Sequence, residues 1–278
     1  MSDLPFIGTS GKPRLVECAV LYFDLLGVSA MAQGDNAQKE LEYFNRTIRS
    51  AFPYEIGAAA EARENGAYPT TVFSDSIVLA VPILEDLSTS KAVFQVALEV
   101  AQLQTELATC DYFARGAITL DKFHSYEGLL FGPALVEAAS LERDVAVDPR
   151  IVLSPAASAA LLQGEAPEGG GRSVYEEAPV LVDEDGVPFV DYLSGAFQAD
   201  PQLELPDRLS EHRDAVVKQL EQQQTNFGRW SKHRWVAEYH NSTCRTYREP
   251  LEAHGGFEAF LIDSIHTRRQ FEPLRRLR

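Results

Sequence analysis

Two apolar runs in this chain read as strands buried on both faces. Val20-Leu21-Tyr22-Phe23-Asp24-Leu25-Leu26-Gly27-Val28 carries one carboxylate, Asp24, and stops at Gly27. About fifty residues later, Thr71-Val72-Phe73-Ser74-Asp75-Ser76-Ile77-Val78-Leu79 again carries a single acid, Asp75. A charge at the end of such a strand is tolerated where something positive meets it. Two strands that each deliver one Asp to the same edge suit a divalent cation held against a triphosphate.

The remaining pattern predicts the elements between and beyond these runs. Residues 17 to 24 form the first strand, and Gly27 opens the turn after it. From 30 to 52, Leu41, Phe44, Ile48 and Phe52 recur at helical spacing. Gly66 and Pro69 mark a loop before residues 70 to 81, a hairpin bent around Ser74-Asp75-Ser76. Ser88-Thr89-Ser90 offers N-caps for a helix with the stripe Val93, Val96, Ala97, Val100, Leu103 and Leu107. A strand over 112 to 120 holds Arg115-Gly116, an extended segment covers 123 to 131, and Gly132-Pro133 starts a helix through Glu142. This β-α-β-β-α-β order predicts an α+β, ferredoxin-like fold, a split βαβ arrangement with an antiparallel sheet and helices on one face.

Further along, the pattern predicts a short strand at 151 to 153, a short helix at 155 to 162 and a surface loop at 165 to 171. An edge strand is expected at 189 to 192, and a long helix over 209 to 239, interrupted or kinked near Asn226-Phe227-Gly228. The expected organisation is a lead-in over 1–14, a catalytic domain over 15–205, and a helical extension with a basic tail over 206–278, without a second core.

Composition narrows the function classes. The chain of 278 residues is 45% hydrophobic and 24% charged, as ordinary globular proteins are. It has no apolar stretch long enough to span a bilayer and no signal-peptide pattern, so no membrane insertion and a cytoplasmic location are expected. Cys18, Cys110 and Cys244 are odd in number and widely spaced, which predicts reduced thiols. A net charge of −16 argues against nucleic acid as a partner, so any anionic ligand needs a local metal or arginine cluster. Arg268, Arg269, Arg275, Arg276 and Arg278 crowd the C-terminus around Glu272 and read as a solvated tail. His233 and His240, seven apart, read as packing or solvent-facing residues, and Trp230, Trp235 and Tyr239 as core contacts of the last helix. Ser74 and Ser76 have no identifiable His base, which argues against nucleophilic serine chemistry. Gly27 permits close backbone approach, and amides at the following helix start are placed to cradle phosphate oxygens.

Phe23-Asp24-Leu25-Leu26-Gly27 resembles the F-x-D-x-x-G motif of class III nucleotidyl cyclases. Ser74-Asp75 is similar to that family's Gly-Asp hairpin, and Arg115-Gly116-Ala117-Ile118 to its Arg-x-Gly-Ile strand. Phe131-Gly132 followed by Ala138-Ala139-Ser140-Leu141-Glu142 resembles the segment that opens the family's helix near the dimer interface. The matches run in order over residues 15 to 145. The resemblance implies two metal ions per site, Mn²⁺ or Mg²⁺, bound by Asp24 and Asp75 with the main-chain carbonyl of Leu25. It makes Asp24, Asp75 and Arg115 catalytic and sets the substrate against Phe23, Gly27, Thr71 and Arg115, the last reaching the triphosphate. A diguanylate cyclase is disfavoured because the chain has no Gly-Gly-Asp/Glu-Glu-Phe turn.

Several positions depart from the purine-cyclase pattern. Thr71 and Leu129 stand where that pattern has the Lys and Asp that read adenine, and Thr71 is small enough to bond a base edge. Val136 and Ser140 replace the Asn and Arg that would stabilise the transition state, which leaves Arg143 as a candidate. Asp121 replaces a glycine. With the segment Lys232-His233-Arg234-Trp235-Val236-Ala237-Glu238-Tyr239-His240-Asn241, this combination resembles the pyrimidine cyclases of bacterial Pycsar antiphage systems. That implies a homodimer with active sites at the interface. It also implies cyclisation of UTP, or CTP, to a 3′,5′-cyclic monophosphate that activates a separate effector. A purine cyclase and an inactive, cyclase-like nucleotide-binding module are the alternatives.

Overall fold

The computed structural model describes residues 5–8, 10–51, 70–84, 87–164, 178–199, 204–263 and 269–274. Phe52, the loop with Gly66 and Pro69, the 165–171 excursion and every arginine of the basic tail except Arg269 lie outside them. Nine strands form one sheet among the described residues: β1 (Val16–Leu25), β2 (Thr70–Phe73), β3 (Ser76–Pro82), β4 (Ala114–Tyr126), β5 (Leu129–Phe131), β6 (Ile151–Leu153), β7 (Val180–Val182), β8 (Pro188–Val190) and β9 (Glu272–Pro273). Their order is β2-β3-β1-β4-β6-β8-β7-β9, with β5 hairpinned onto β4. Around them lie α1 (Val28–Ala32), α2 (Ala37–Ala51), α3 (Thr89–Thr109), α4 (Pro133–Asp144), α5 (Pro155–Gln163), α6 (Tyr192–Ala199), α7 (Leu205–Gln222), α8 (Phe227–Thr246) and α9 (Arg248–Ala253).

The first part of the sheet is the expected ferredoxin-like arrangement. β1 lies between β3 and β4, antiparallel to both, and α3 crosses from β3 to β4. Because β1 is covered on both sides, its side chains divide between two clusters. Leu21, Phe23 and Leu25 join the large core under α3, whereas Cys18 and Val20 meet Phe6, Val78 and Phe123 on the other face. Ser88 starts α3 by accepting from the Lys91 amide at 3.4 Å, and Val93, Val96, Ala97, Val100, Leu103 and Leu107 are all buried, so the expected stripe faces the core.

Five expectations are corrected. Thr119, opposite Val20 in the ladder, donates to the Ala134 carbonyl at 2.9 Å, which fixes the first turn of α4 on the second face; the helices therefore do not share one face. β4 and β6 are parallel, so the sheet is mixed rather than antiparallel. Phe189 belongs to β8, an interior strand between β6 and β7 rather than an edge. The helix expected over 30 to 52 is two helices with a break at 33–36, whereas the interruption expected near Asn226 in the long C-terminal helix is present and divides it into α7 and α8. Asn226 makes that second break by capping α8, its side chain accepting from the Arg229 amide at 3.1 Å. β4 extends to Tyr126 and turns back through Glu127 and Gly128, both left-handed, so the 123–131 segment is divided between β4 and β5.

The C-terminal helices share the main core. Leu209, Val216, Trp235 and Tyr239 are buried in the same cluster as Phe23 and Val100. Trp235 and Tyr239 stack 5.6 Å apart and meet Phe189 edge-on, and the polar tips are bonded, Tyr239 donating to Asp191 at 2.5 Å and Trp235 to Asp183 at 2.9 Å. His240 stacks on His212, and His233 meets the ring of Phe113, so both histidines are packing residues. Among the described residues, no helix is long and apolar enough to cross a membrane.

Candidate active site

The register brings the two expected acids to one end of the sheet. Asp24 is the penultimate residue of β1, flanked across the ladder by Ser76 of β3 and Arg115 of β4. Asp75 immediately precedes Ser76 in the turn between β2 and β3, where Ser74 is left-handed (φ 57°). The Leu25 amide donates to the Asp75 carbonyl at 2.9 Å, tying the turn to the end of β1. Alternation along β1 then decides which side chains are available. Asp24 and Tyr22 share the face opposite Phe23, and the Tyr22 hydroxyl bonds Ser76 at 3.1 Å.

The surroundings of Asp24 perturb its carboxyl. Burial pushes the Asp24 carboxyl up to about 6, and the negative charges of Asp75 and Glu142 push the same way against Arg115 and Lys232. A cation between Asp24 and Asp75 relieves that repulsion, and the donors on offer are hard oxygens, which suits Mg²⁺ or Mn²⁺. Among the described residues no group of three or more His, Cys, Asp or Glu side chains is placed to hold a metal, so a metal bound at Asp24 and Asp75 would need main-chain or substrate oxygens as well.

Arg115 lies between acids. Its Nη2 is 2.7 Å from Glu142 Oε1 and 3.9 Å from Asp24 Oδ2. The Glu142 contact is an ion pair without hydrogen-bond alignment, and both Glu142 Oε1 and Arg115 Nε are buried without a hydrogen-bond partner. A guanidinium held this way retains donor capacity for an anion. Lys232, from α8, completes the cluster. Burial lowers its pKa and Arg115 adds to that, while Asp148, Glu142 and Asp24 act in the opposite direction.

The other expected site residues are distributed as follows. Gly27 is left-handed (φ 92°) at the start of α1, which has only five residues, and it borders a cavity. Thr71 pairs with Val78, which pairs with Tyr22, so Thr71 lies on the Asp24 face of the sheet, one cross-strand row from the acid. Phe23 is wholly buried on the opposite face, opposite Ile77 and Gly116, so its side chain packs beneath Asp24 and does not line the site. Leu25 is also buried. Arg143 is exposed and paired with Asp144 at 2.7 Å, so it does not join the cluster. The same helix brings Glu142 instead. Val136 is 68% exposed and Ser140 donates to the Val136 carbonyl at 2.9 Å.

Glu142 and Lys232 were not singled out from the sequence. Glu142 had a signal: the buried residues of α4 are Ala134, Ala138 and Glu142, one every four positions. A carboxylate in a buried helical row demands a cation. Lys232 had none, because only the packing of α8 carries it to the end of β1.

No protein-family model matches the chain, and no curated protein matches it in sequence. Solved structures similar to it include an adenylyl cyclase from P. aeruginosa, 11% identical, covering 64% of this chain and 94% of its own length with a TM-score of 0.44. The catalytic core of a rhodopsin-guanylyl cyclase with converted specificity, in complex with ATPαS, is 12% identical and covers 63% of this chain and 95% of its own, with a TM-score of 0.43. A class III adenylyl cyclase-like ATP-binding protein from Pseudomonas aeruginosa is 14% identical and covers 73% of this chain and 44% of its own, at 0.44. At these scores the likenesses carry no functional weight.

Proposed function

We infer that this chain is a metal-dependent nucleotidyl cyclase acting on a pyrimidine nucleoside triphosphate, UTP or CTP. The observation that carries this reading is the convergence of Asp24, Asp75 and Arg115 at one end of β1, β3 and β4, with the Asp24 carboxyl pushed up by burial and by its acidic neighbours. In this reading Asp24 and Asp75, with the Leu25 carbonyl, would hold Mn²⁺ or Mg²⁺, and the chemistry so supplied would be polarisation of phosphate oxygens and activation of the 3′-hydroxyl. Arg115, whose Nε has no hydrogen-bond partner, contacts the triphosphate in this reading and balances charge as diphosphate departs. Gly27 leaves room for the phosphates, and Thr71 faces the base. A threonine there, with Leu129 at the other base-reading position, supports a pyrimidine over adenine.

The dimer and the messenger role belong to the same reading. Leu129, Phe131 and Val136 are all more than half exposed on and beside the β4–β5 hairpin, which suits burial against a second copy. The cyclic product then serves as the signal for a separate effector in antiphage defence. A second reading, a cyclase-like nucleotide-binding module, is favoured by Val136 and Ser140, which present no cationic or amide donor to a transition state. Mass spectrometry of products from an equimolar mixture of four nucleoside triphosphates with Mn²⁺ separates the readings. Cyclic UMP or CMP is expected, abolished by Asp24→Ala and by Asp75→Ala. Preferential cyclisation of ATP or GTP would assign a purine substrate, and nucleotide binding without any cyclic product would assign the binding module.

A further inference from the structure

A cavity of 350 Å³ opens beside the turn that follows Asp24. Gly27 forms part of one wall, and a Cβ added there would meet nothing within 4 Å, so the turn faces open space. The opposite wall belongs to the C-terminal helices: Gln219 and Gln222 from α7, and Arg229 and Lys232 from α8. Asp111 is the one acid among the lining residues, and it is paired with Lys218. Among the described residues, neither Arg229 nor Lys232 has a carboxylate within ion-pair distance. Two cations without ion-pair partners, with neutral amides as neighbours, form a local positive surplus in a chain of net charge −16. The volume lies at the small end of the range for small-molecule sites, about 300–1,000 Å³. Lys232 also senses Asp24, Glu142 and Arg115, so the cavity adjoins the carboxylate cluster.

Resting on the cyclase reading above, we propose that Arg229 and Lys232 hold the β- and γ-phosphates of the substrate in this cavity, so that the C-terminal helices supply the leaving-group site within the same chain. In the reaction the 3′-oxygen forms a bond to the α-phosphorus and its proton passes to solvent. The bond from the α-phosphorus to the bridging oxygen breaks, and diphosphate departs with the electron pair. Arg229 and Lys232 sit where that charge collects, and Gln219 and Gln222 offer amide donors to the same oxygens.

The test is calorimetric titration of the full chain with inorganic diphosphate, alongside steady-state cyclisation. Arg229→Gln and Lys232→Met each weaken diphosphate binding about tenfold and raise KM for the triphosphate more than they lower kcat, whereas Lys232→Arg restores binding. Unchanged diphosphate affinity in folded Arg229→Gln and Lys232→Met variants overturns the proposal, even where the wild type cyclises its substrate. If the wild type cyclises no triphosphate yet binds diphosphate through both cations, the anion site stands and the cyclase reading fails.

Discussion

Acid should loosen the C-terminal helices through a buried chain of hydrogen bonds with one consistent proton arrangement. His240 Nε2 lies 2.8 Å from the Phe260 carbonyl and must donate to it, so its Nδ1 is an acceptor. That Nδ1 is 3.0 Å from His212 Nδ1, which therefore donates, and leaves His212 Nε2 to accept from the Tyr192 hydroxyl at 2.7 Å. Both imidazoles are wholly buried, and a proton added to either breaks a link. Burial lowers the His240 pKa from 6.5 to about 4, and it lowers that of His212 well below its ordinary value, with His240 adding to the effect. For a base whose folded pKa is depressed, the unfolded chain binds the extra proton first. Stability is therefore full above pH 6.5 and falls as the pH drops from 6.5 toward 4. For His240 alone the loss is roughly 2 kcal/mol at pH 5 and about 3 kcal/mol at pH 4 and below. Urea unfolding of the wild type and of His240→Gln at pH 7.5, 6.5, 5.5 and 5.0 measures this. The wild type should lose more stability on acidification than the variant, by about 2 kcal/mol at pH 5. Parallel curves would show that His240 does not titrate in isolation from solvent and would refute the reasoning. Since α8 carries both His240 and Lys232, the same acidification should raise KM before it unfolds the chain.

Two further outcomes follow from packing. At Gly116, opposite Phe23, a methyl group would lie 2.3 Å from the Tyr22 carbonyl oxygen and 2.4 Å from Phe23 Cβ. Reaching an ordinary contact of 3.4 Å needs β1 and β4 to part by roughly 1 Å (3.4 less 2.3). Gly116→Ala should cost about 3 kcal/mol in denaturant unfolding and displace Asp24 from Arg115. Gly27→Ala meets no atom but keeps a left-handed φ, and should cost only about 1 kcal/mol, so equal losses would contradict this geometry. Asp183 is buried and accepts from Arg150 at 2.6 Å, Arg269 at 2.8 Å and Trp235 at 2.9 Å. Asp183→Ala leaves Arg150 buried with only its Asp185 contact and should cost about 3–5 kcal/mol, whereas Asp183→Asn keeps an acceptor and should cost less in the same assay.

The legible parts of this chain were those where one short stretch decides the outcome. Val20 to Gly27, the Ser74-Asp75 turn and the α3 stripe each carry their own periodicity or turn chemistry, and each lies where the pattern put it. Phe189 was less legible because a three-residue strand is neither edge nor interior until its partners β6 and β7 are known, and those come from other parts of the chain. The interruption near Asn226 was legible in its residue types, while the choice between a kink and a full break with a new cap depends on where the preceding helix stops. The candidate site divides along the same line. Asp24, Asp75 and Arg115 come from adjacent strands with local signatures, while Glu142 and Lys232 arrive through tertiary packing.

The position of Lys232 also bears on how the protein is made. About 200 residues separate it from Asp24. As a nascent chain grows from its N-terminus, both acids and Arg115 are in place before α8 exists, and the cluster lacks its lysine until that helix docks. About 200 further residues must therefore be made before the end of β1 acquires its full set of charges, and a product arrested before residue 227 would hold the carboxylates and Arg115 without the two cations of α8.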